Sequence, residues 1–230
     1  MRAEVIPTAL LPSRAALWLA DRIWMAVADR SVAHVAVSGG STPAAMFAVL
    51  ASMPLPWSST HIWQVDERIA PDGDPDRNAN QLAVFASTAA TVHLMGVTAS
   101  DPVAAAELFA AELHRACGGV LDIVHLGLGD DGHTASWPPG DLVLTVADRD
   151  VALSGPYKNR VRMTLTPPAV NRARVVMFLV AGEAKADAVA KLVQGDPSIP
   201  ASAVRASNSM LLVDGPAMGA EAPGGHEASA

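Results

Sequence analysis

The sequence contains little cysteine, few aromatic residues and little charge. Its only cysteine, Cys117, can form no disulfide within the chain and cannot build the multi-cysteine type of zinc site. Aromatic residues make up 4% of the chain and charged residues 17%, whereas about a quarter of an average domain is charged. Because 50% of the 230 residues are hydrophobic, the low charge does not indicate disorder. This length and composition are typical of one large folded domain.

Positive charge is also scarce. The 16 lysines and arginines are outnumbered by 23 aspartates and glutamates, which gives a formal net charge of −7. Proteins that bind nucleic acids usually carry a basic excess, so no nucleic-acid partner is expected. No apolar run reaches the roughly 18 residues of a membrane span. Pro7, Pro12 and Arg14 interrupt the start of the chain, which does not resemble a secretory signal. The sequence therefore predicts a soluble, cytoplasmic protein without a membrane partner.

Short apolar runs alternate along the chain with longer, alanine-rich stretches that favour helix. The runs of strand length are Val32–Val37, Thr60–Val65, Leu121–Leu128, Val175–Val180 and Asn208–Val213. The helix-like stretches are Leu10–Ala28, Pro43–Ser52, Asn78–Ser87, Pro102–Ala116 and Glu183–Val193. This alternation predicts an α/β fold, a doubly wound and mostly parallel sheet with helices on both faces. We expect a single domain over residues 1–214, and a flexible tail in the Gly- and Pro-rich residues 215–230.

Polar segments follow four of the predicted strands, and ligands bind beyond the carboxyl ends of strands in sheets of this kind. The segment SGGSTP at 38–43 leads from a strand into a helix. We expect Thr42 as the N-cap and Pro43 as the first helical residue. The backbone amides, the hydroxyls and the positive helix end would together bind an anion such as phosphate. The alternative is a capped turn with no ligand.

The segments DER at 66–68 and DRN at 76–78 place several charges after an apolar run. Burying such charges without partners would be costly. They form either a solvated turn or a structural Asp–Arg pair, or else they place an arginine that points into the crevice and is held by neighbouring carboxylates. Asn78 is expected to cap the helix that follows, and the alternative is that it contacts a ligand.

The segment GLGDDGHTAS at 127–136 places His133 after a buried strand, among glycines, with Asp131 two positions earlier. An imidazole is suited to proton transfer near neutral pH, and a carboxylate can fix its tautomer and orientation. A lone histidine is also often only a packed or surface residue. The sequence has no G-x-S-x-G elbow for a serine hydrolase and no H-x-x-x-H or H-x-H spacing for a metal.

Two further cations stand where an anion would be useful. Lys185 lies in the first turn of a predicted helix, where the helix dipole disfavours a cation unless an anion is bound. Arg162 precedes the segment MTLT and could pair with a carboxylate or hold a phosphate with both of its terminal nitrogens. The alternative for Lys185 is an exposed side chain that extends into solvent.

Taken together, these segments resemble a known family, the 6-phosphogluconolactonases. The segments that carry the resemblance are VSGGSTP at 37–43, VDER at 65–68, LGLGDDGHTAS at 126–136, RMTLTPPAV at 162–170 and VAGEAKADAV at 180–189. They occur in the same order over roughly residues 30–213. Each segment alone would be weak evidence, but their combination is highly specific.

The resemblance implies a Rossmann-like α/β domain of the sugar-phosphate isomerase type. It implies hydrolysis of 6-phospho-D-glucono-1,5-lactone to 6-phosphogluconate in the pentose phosphate pathway, with His133 as the general base that activates water. Asp131 and Asp66 would be polar supports beside the histidine or the sugar ring. The implied substrate and phosphate contacts are Gly39, Gly40, Ser41, Thr42, Arg68, Arg162 and Lys185. It implies no cofactor, no metal and a small-molecule lactone as the partner, and we expect a monomer or a weak homodimer.

The sequence departs from the family pattern in three places that bear on substrate fit. Trp137-Pro138 stands where the family has Leu-Phe, and Arg77 stands where it has serine. The segment GPYKNR at 155–160 stands where the family is usually rich in proline. The nearest alternative is a glucosamine-6-phosphate deaminase-like isomerase, but that family carries a glutamate five residues after the histidine, and this position is Pro138. A second alternative is a non-catalytic sugar-phosphate sensor. The residues before the first core strand are too few for the helix-turn-helix that accompanies such sensors.

Overall fold

The structure is a computed structural model that describes residues 1–205 and 209–219. Its strands are β1 (Arg2–Ile6), β2 (Ala33–Val37), β3 (Thr60–Gln64), β4 (Asp66–Arg68), β5 (Thr91–His93), β6 (Ile123–Leu126), β7 (Val151–Tyr157), β8 (Arg160–Leu165), β9 (Val175–Val180) and β10 (Ser209–Asp214). Its α-helices are α1 (Leu11–Arg30), α2 (Ser41–Ala51), α3 (Ala79–Leu82), α4 (Pro102–Cys117), α5 (Pro167–Asn171) and α6 (Ala186–Gln194).

The main sheet has seven strands in the order β1-β10-β9-β6-β2-β3-β5. All of its strand pairs are parallel. The predicted doubly wound α/β fold is therefore confirmed. The five predicted apolar runs correspond to β2, β3, β6, β9 and β10, and Asn208, at the start of the last run, lies outside the described residues. Strands β2, β6 and β9 are buried along their whole length, as expected of strands covered on both faces.

Two hydrophobic cores lie on opposite faces of this sheet. Successive residues of β2 alternate between them, since Val35 and Val37 belong to one core and Ala36 to the other. Helices α1 and α2 cover the first face, where Leu19 and Phe47 are fully buried. Helices α4 and α6 cover the second face. The sheet thus lies between two helical layers, and the polar side chains at the ends of its strands belong to neither core.

Two short strands of the main sheet were not predicted. Strand β1 is an edge strand, and most of its residues are exposed, so it lacks the continuous apolar signal of a buried strand. Strand β5 has only three residues. Helix lengths also differ from the prediction. The stretch 78–87 contains one α-helical turn followed by 3₁₀ helix, and the stretch 183–193 begins with 3₁₀ helix.

A second sheet, with the order β4-β8-β7, was missed by the sequence analysis. Its strand pairs are antiparallel. Strands β7 and β8 form a hairpin through Lys158-Asn159, whose φ angles of 51° and 62° fit the left-handed turn that such hairpins favour. Residues 151–165 therefore belong largely to a sheet that packs beside the main one.

The end of the described chain is packed. Residues 215–219, which the sequence assigned to a flexible tail, form turns, and Ala217 is fully buried with its amide donating to Asp214 Oδ1 at 2.9 Å. The remainder of the expected tail, 220–230, lies outside the described residues. The division at residue 214 stays a prediction. None of the helices in the described residues combines the length and apolar character that crossing a bilayer requires.

Three histidines stack across neighbouring strands of the main sheet. The rings of His34 and His61 lie 4.6 Å apart, and His61 Nδ1 is 2.8 Å from His93 Nε2. Burial lowers the pKa of His34 to about 4, helped by the nearby His61 and His93 and opposed by Asp122. Burial, together with His93, also lowers the pKa of His61. The folded protein therefore disfavours protonation of His34 and His61.

This stack should make the free energy of unfolding depend on pH. In the unfolded chain His34 and His61 take up protons near their ordinary pKa of 6.5, whereas in the folded protein they do so only at lower pH. Stability should therefore be complete above pH 6.5 and fall as the pH drops from there towards 4. Urea unfolding at pH 7 and pH 5 measures the loss.

The variant His34→Gln should lose less stability between these two pH values than the wild type, because one of the groups that resist protonation is gone. His114 supplies the comparison, because its Nε2 lies 2.8 Å from a carboxylate oxygen of Asp150 and it is no part of the stack, so His114→Gln should not reduce the loss between the two pH values. An equal loss in His34→Gln and the wild type would show that the stack does not carry the effect.

Candidate active site

A cavity of about 190 Å³ opens at the carboxyl edge of the main sheet. It is lined by the segments that follow β2, β3, β6 and β9, which are neighbours in the sheet. The chain continues from β2 towards β3 on one side and from β6 towards β9 on the other. The cavity thus lies at the point where the strand order reverses, the usual ligand site of an open α/β sheet.

Nine of the ten predicted site residues line this cavity. They are Gly39, Gly40, Ser41, Thr42, Asp66, Arg68, His133, Arg162 and Lys185. The tenth, Asp131, lies against the ring of His133. Segments separated by more than a hundred positions in the sequence are therefore neighbours in space.

The loop after β2 presents backbone groups to the cavity. Helix α2 begins at Ser41, and its N-cap is Gly40 with φ of 141°, so the expectation that Thr42 would be the N-cap was wrong. No side chain caps this helix, which leaves its first amides without an intrahelical partner. Gly39 has to be glycine, because a Cβ there would collide with the side chain of Asn78. The backbone amides at the start of α2 are therefore available to bind an anion.

Arg68 and Arg162 are direct cross-strand partners on β4 and β8. Like charges in this position repel each other. Within the described residues, neither arginine forms an ion pair with a carboxylate, and Arg162, only 6% exposed, donates no hydrogen bond. Burial, reinforced by the charge of Arg68, lowers the pKa of Arg162. An anion bound between the two guanidinium groups would relieve this repulsion.

Lys185 adds a third cation to the cavity. It precedes α6 as its N-cap residue, and its Nζ lies 3.9 Å from Asp130 Oδ1. The other two cations of the β7–β8 hairpin do not reach the cavity. Arg160 pairs with Asp74 at 2.9 Å, and Lys158 lies exposed in the turn.

The fully buried Glu67 holds Arg68 in place. Its carboxylate lies 3.1 Å from Arg77 Nε and accepts hydrogen bonds from the backbone amides of Arg68, Asn78 and Ala79. The structure differs from both interpretations in detail. The buried pair contains Glu67 in place of an aspartate, and Arg68 is held by Asn78 and by its own backbone amide, with no ion pair to a carboxylate of the described residues. Arg68 lines the cavity, whereas Glu67 and Arg77 form a buried structural pair. The departure from the family pattern at Arg77 lies outside the cavity.

Asn78 and Asp66 support the same wall. Asn78 does not cap helix α3 with its side chain. Instead, its Oδ1 accepts a hydrogen bond from Arg68 and its Nδ2 donates to the backbone oxygen of Asp66 at 2.9 Å. Asp66 Oδ2 accepts from the hydroxyl of Ser136 at 2.6 Å. This bond connects the arginine segment to the histidine segment.

His133 and Asp131 form a close pair at the opposite wall. His133 Nδ1 lies 2.6 Å from Asp131 Oδ1, and the backbone amide of His133 donates to the same oxygen at 3.1 Å. Burial alone would raise the pKa of Asp131, but its hydrogen bonds from His133 and Tyr157 outweigh burial and lower the pKa to about 2. Asp131 is therefore ionised at neutral pH and can only accept. The proton of the neutral imidazole then belongs on Nδ1, which leaves a lone pair on Nε2.

The loop around His133 is tightly constrained. A Cβ on Gly129 would collide with the His133 ring and the Asp131 carboxylate, and one on Gly132, at φ of 78°, would collide with Ile199. Trp137, which differs from the family pattern, is fully buried and donates from Nε1 to Leu165 O at 2.7 Å. It packs in the core and does not line the cavity. This departure from the family pattern therefore also lies outside the cavity.

Sequence reasoning missed Tyr157, whose hydroxyl donates to Asp131 Oδ2 at 2.8 Å. The signal that could have found it is the Lys158-Asn159 turn, which would have predicted the hairpin and placed Tyr157 at its end. Among the described residues, no group of three or more His, Cys, Asp or Glu side chains is arranged to hold a metal ion.

Comparison with known proteins gives consistent matches. The sequence pattern of the family described as glucosamine-6-phosphate isomerases/6-phosphogluconolactonase matches residues 8–213. A 6-phosphogluconolactonase of Synechocystis sp. is 37% identical over 194 residues, which cover 80% of each protein. A 6-phosphogluconolactonase structure from Trypanosoma cruzi matches with a TM-score of 0.85 and 24% identity, over 95% of this chain and 96% of that one. A monomeric glucosamine-6-phosphate deaminase matches with a TM-score of 0.83 and 20% identity, over 95% and 99%. The fold by itself is therefore common to both activities.

The arginine pair leads to a prediction about anion binding. The variant Arg162→Met should bind inorganic phosphate about tenfold less tightly or worse, because a buried charged donor is lost. In the absence of phosphate it should unfold at a higher temperature than the wild type, because the repulsion from Arg68 is relieved. Thermal unfolding with and without phosphate measures both effects.

Arg160 lies on the same strand but outside the cavity, so Arg160→Met is the matched control and should keep the stabilisation by phosphate. Equal stabilisation of Arg162→Met and the wild type by phosphate would refute the anion site.

Proposed function

The chain belongs to the family of glucosamine-6-phosphate isomerases and 6-phosphogluconolactonases, and from this premise we propose that it hydrolyses 6-phospho-D-glucono-1,5-lactone to 6-phosphogluconate in the pentose phosphate pathway. One observation carries the proposal. His133, whose Nε2 carries a lone pair, lines the same cavity as Arg68 and Arg162, which form no ion pair with a carboxylate of the described residues. This reaction requires a general base that activates water and a site that binds the phosphate of the substrate.

His133 acts as the general base. Its Nε2 removes a proton from a water molecule as the water oxygen attacks C1 of the lactone. The tetrahedral intermediate then breaks the bond between C1 and the ring oxygen, and the imidazolium returns the proton to that oxygen. The product is an open-chain carboxylic acid, which ionises at neutral pH. Proton transfer of this kind typically contributes about 10²–10⁴-fold to the rate.

The cations orient the substrate. Arg68, Arg162, Lys185 and the open N-terminus of α2 bind the phosphate, which is remote from the reacting carbon. Binding energy from such a remote group holds the ring in place for attack. The Asp131 carboxylate keeps the proton of His133 on Nδ1 and stabilises the imidazolium that forms during the reaction. Asp66, fixed by Ser136 and Asn78, supports the wall between the two ends.

The deaminase alternative is less well supported by the site. Ring opening in that family uses a glutamate five residues after the histidine, and the corresponding Pro138 has no acid and does not line the cavity. A purely sensory role would not require the imidazole with its free Nε2. We propose that the chain acts on its small-molecule substrate in the cytoplasm as a monomer or weak homodimer, without nucleic acid, because one chain supplies the whole cavity.

Replacing His133 should affect turnover more than binding. In His133→Ala, kcat above the uncatalysed rate should fall about 10²–10⁴-fold, because the general base is lost. Binding of 6-phosphogluconate, measured by calorimetry, should stay near the wild-type value. A coupled assay that generates the lactone with glucose-6-phosphate dehydrogenase and detects the acid with 6-phosphogluconate dehydrogenase reports kcat. His114→Ala, which changes an exposed histidine, is the control, and an unchanged kcat in His133→Ala would refute the assignment.

The rate of hydrolysis should depend strongly on the phosphate group of the substrate. With phosphate-free glucono-1,5-lactone, kcat/KM should fall by several orders of magnitude, because Arg68 and Arg162 lose their ligand. Direct hydrolysis of both lactones by proton release at constant pH compares them. Equal rates would rule out the role of the cations, and ammonia release from glucosamine-6-phosphate would instead favour the deaminase.

A further inference from the structure

Tyr157 is the last residue of β7 and stands beside the Lys158-Asn159 turn. The register of the β7–β8 pair shifts between Ser154 and Tyr157, which marks a bulge at Gly155-Pro156. The bulge is held by the Gly155 amide, which donates to Asp141 Oδ2 at 2.8 Å. Bulges of this kind redirect the side chains that follow them, often next to active sites. Here the side chain of Tyr157 is directed towards the histidine loop.

The hydroxyl of Tyr157 contacts both members of the His133–Asp131 pair. It donates to Asp131 Oδ2 at 2.8 Å, and its oxygen lies 3.2 Å from His133 Nδ1. Because its proton points to the carboxylate, the hydroxyl oxygen can only accept from Nδ1. Asp131 and Tyr157 thus both require the proton of the neutral imidazole on Nδ1. The opposite tautomer would leave Nε2 protonated and unable to act as a base.

The ring of Tyr157 faces the arginine end of the cavity. The centre of the ring lies 5.0 Å from the His133 ring and 5.1 Å from Arg162 Cζ, a distance at which an aromatic face attracts a cation. Since Arg162 has no other polar partner among the described residues, the ring is its main support within the protein. Tyr157 is therefore in contact with both ends of the cavity at once.

We propose that Tyr157 is a positioning residue for the lactone hydrolysis, holding His133 in its basic tautomer through the hydroxyl and Arg162 in its phosphate-binding position through the ring. This inference rests on the proposed function. It adds a residue that neither the sequence motifs nor the family resemblance identified. Burial and the hydrogen bond to ionised Asp131 raise the pKa of Tyr157 to about 12, so the hydroxyl remains a donor throughout the neutral range.

Two substitutions separate the two roles. Tyr157→Phe keeps the ring and removes the hydroxyl, so kcat should fall about tenfold, the usual effect of losing a hydrogen bond to a charged group, while KM changes little. Tyr157→Leu removes the ring as well, so KM should rise in addition. Trp24→Leu, which changes an exposed aromatic residue of α1 away from the cavity, is the control and should leave both constants unchanged. A kcat of Tyr157→Phe equal to that of the wild type would overturn the proposal.

A spectroscopic test is independent of activity, because Tyr157 is the only tyrosine in the chain. Protein labelled with 3-fluorotyrosine should give a single ¹⁹F resonance at neutral pH. Its chemical shift should change in Asp131→Asn, where the hydroxyl loses its charged acceptor. In the wild type, the chemical shift should also change when 6-phosphogluconate binds in the cavity beside Arg162. A resonance at the position of free fluorotyrosine, unchanged by both, would mean that Tyr157 makes neither contact.

The two failures can be told apart. If the wild type hydrolyses no lactone but the resonance responds to Asp131→Asn, the proposed function fails and the contact of Tyr157 stands. If the wild type is active and Tyr157→Phe is equally active, only the positioning role fails. Melting temperatures of the variants near that of the wild type show that a loss of kcat does not come from unfolding.

Discussion

The repulsion between Arg68 and Arg162 is the interaction on which the site depends. The two residues are opposite each other on β4 and β8, and no carboxylate among the described residues neutralises them. Buried cations without partners are unfavourable, so the fold has to hold them by other means. The fully buried Glu67 does this, because it fixes the segment of Arg68 by accepting backbone amides and pairing with Arg77. The resulting positive cavity is unfavourable when empty and well suited to a phosphate.

The proton-transfer end of the cavity uses the opposite arrangement. Here the carboxylate of Asp131 stays ionised because it accepts hydrogen bonds from His133 and Tyr157. Its negative charge keeps the proton of the neutral imidazole on Nδ1 of His133. Gly129 makes this pair possible, since any side chain there would occupy the space of both partners. The hydroxyl and ring of Tyr157 connect this end with Arg162. Tyr157 thus contacts groups at both ends of one small cavity.

Much of the fold could be predicted from the sequence because its central strands are buried on both faces. The apolar runs that became β2, β6 and β9 carry that signal in every residue. Strand β1 lies at the edge of the sheet and most of its residues are exposed, so it carries no continuous apolar run. Strand β5 has only three residues, too few to show a hydrophobic pattern. The second sheet was missed because its strand β4 consists of charged residues, which the sequence presented as a loop. Its stability comes from pairing with β8, a contact between distant segments.

The sequence by itself determined the parallel α/β architecture, the family and the set of residues around the cavity, because each of these is encoded in local composition and short motifs. Only the tertiary structure decided what those residues do to one another. It showed that Glu67 and Arg77 form an ion pair, whereas Arg68 and Arg162 are two like charges placed opposite each other. It also showed that Tyr157 donates a hydrogen bond to Asp131. These pairings depend on strand register and on a bulge in β7, and both are set by contacts between segments far apart in the chain.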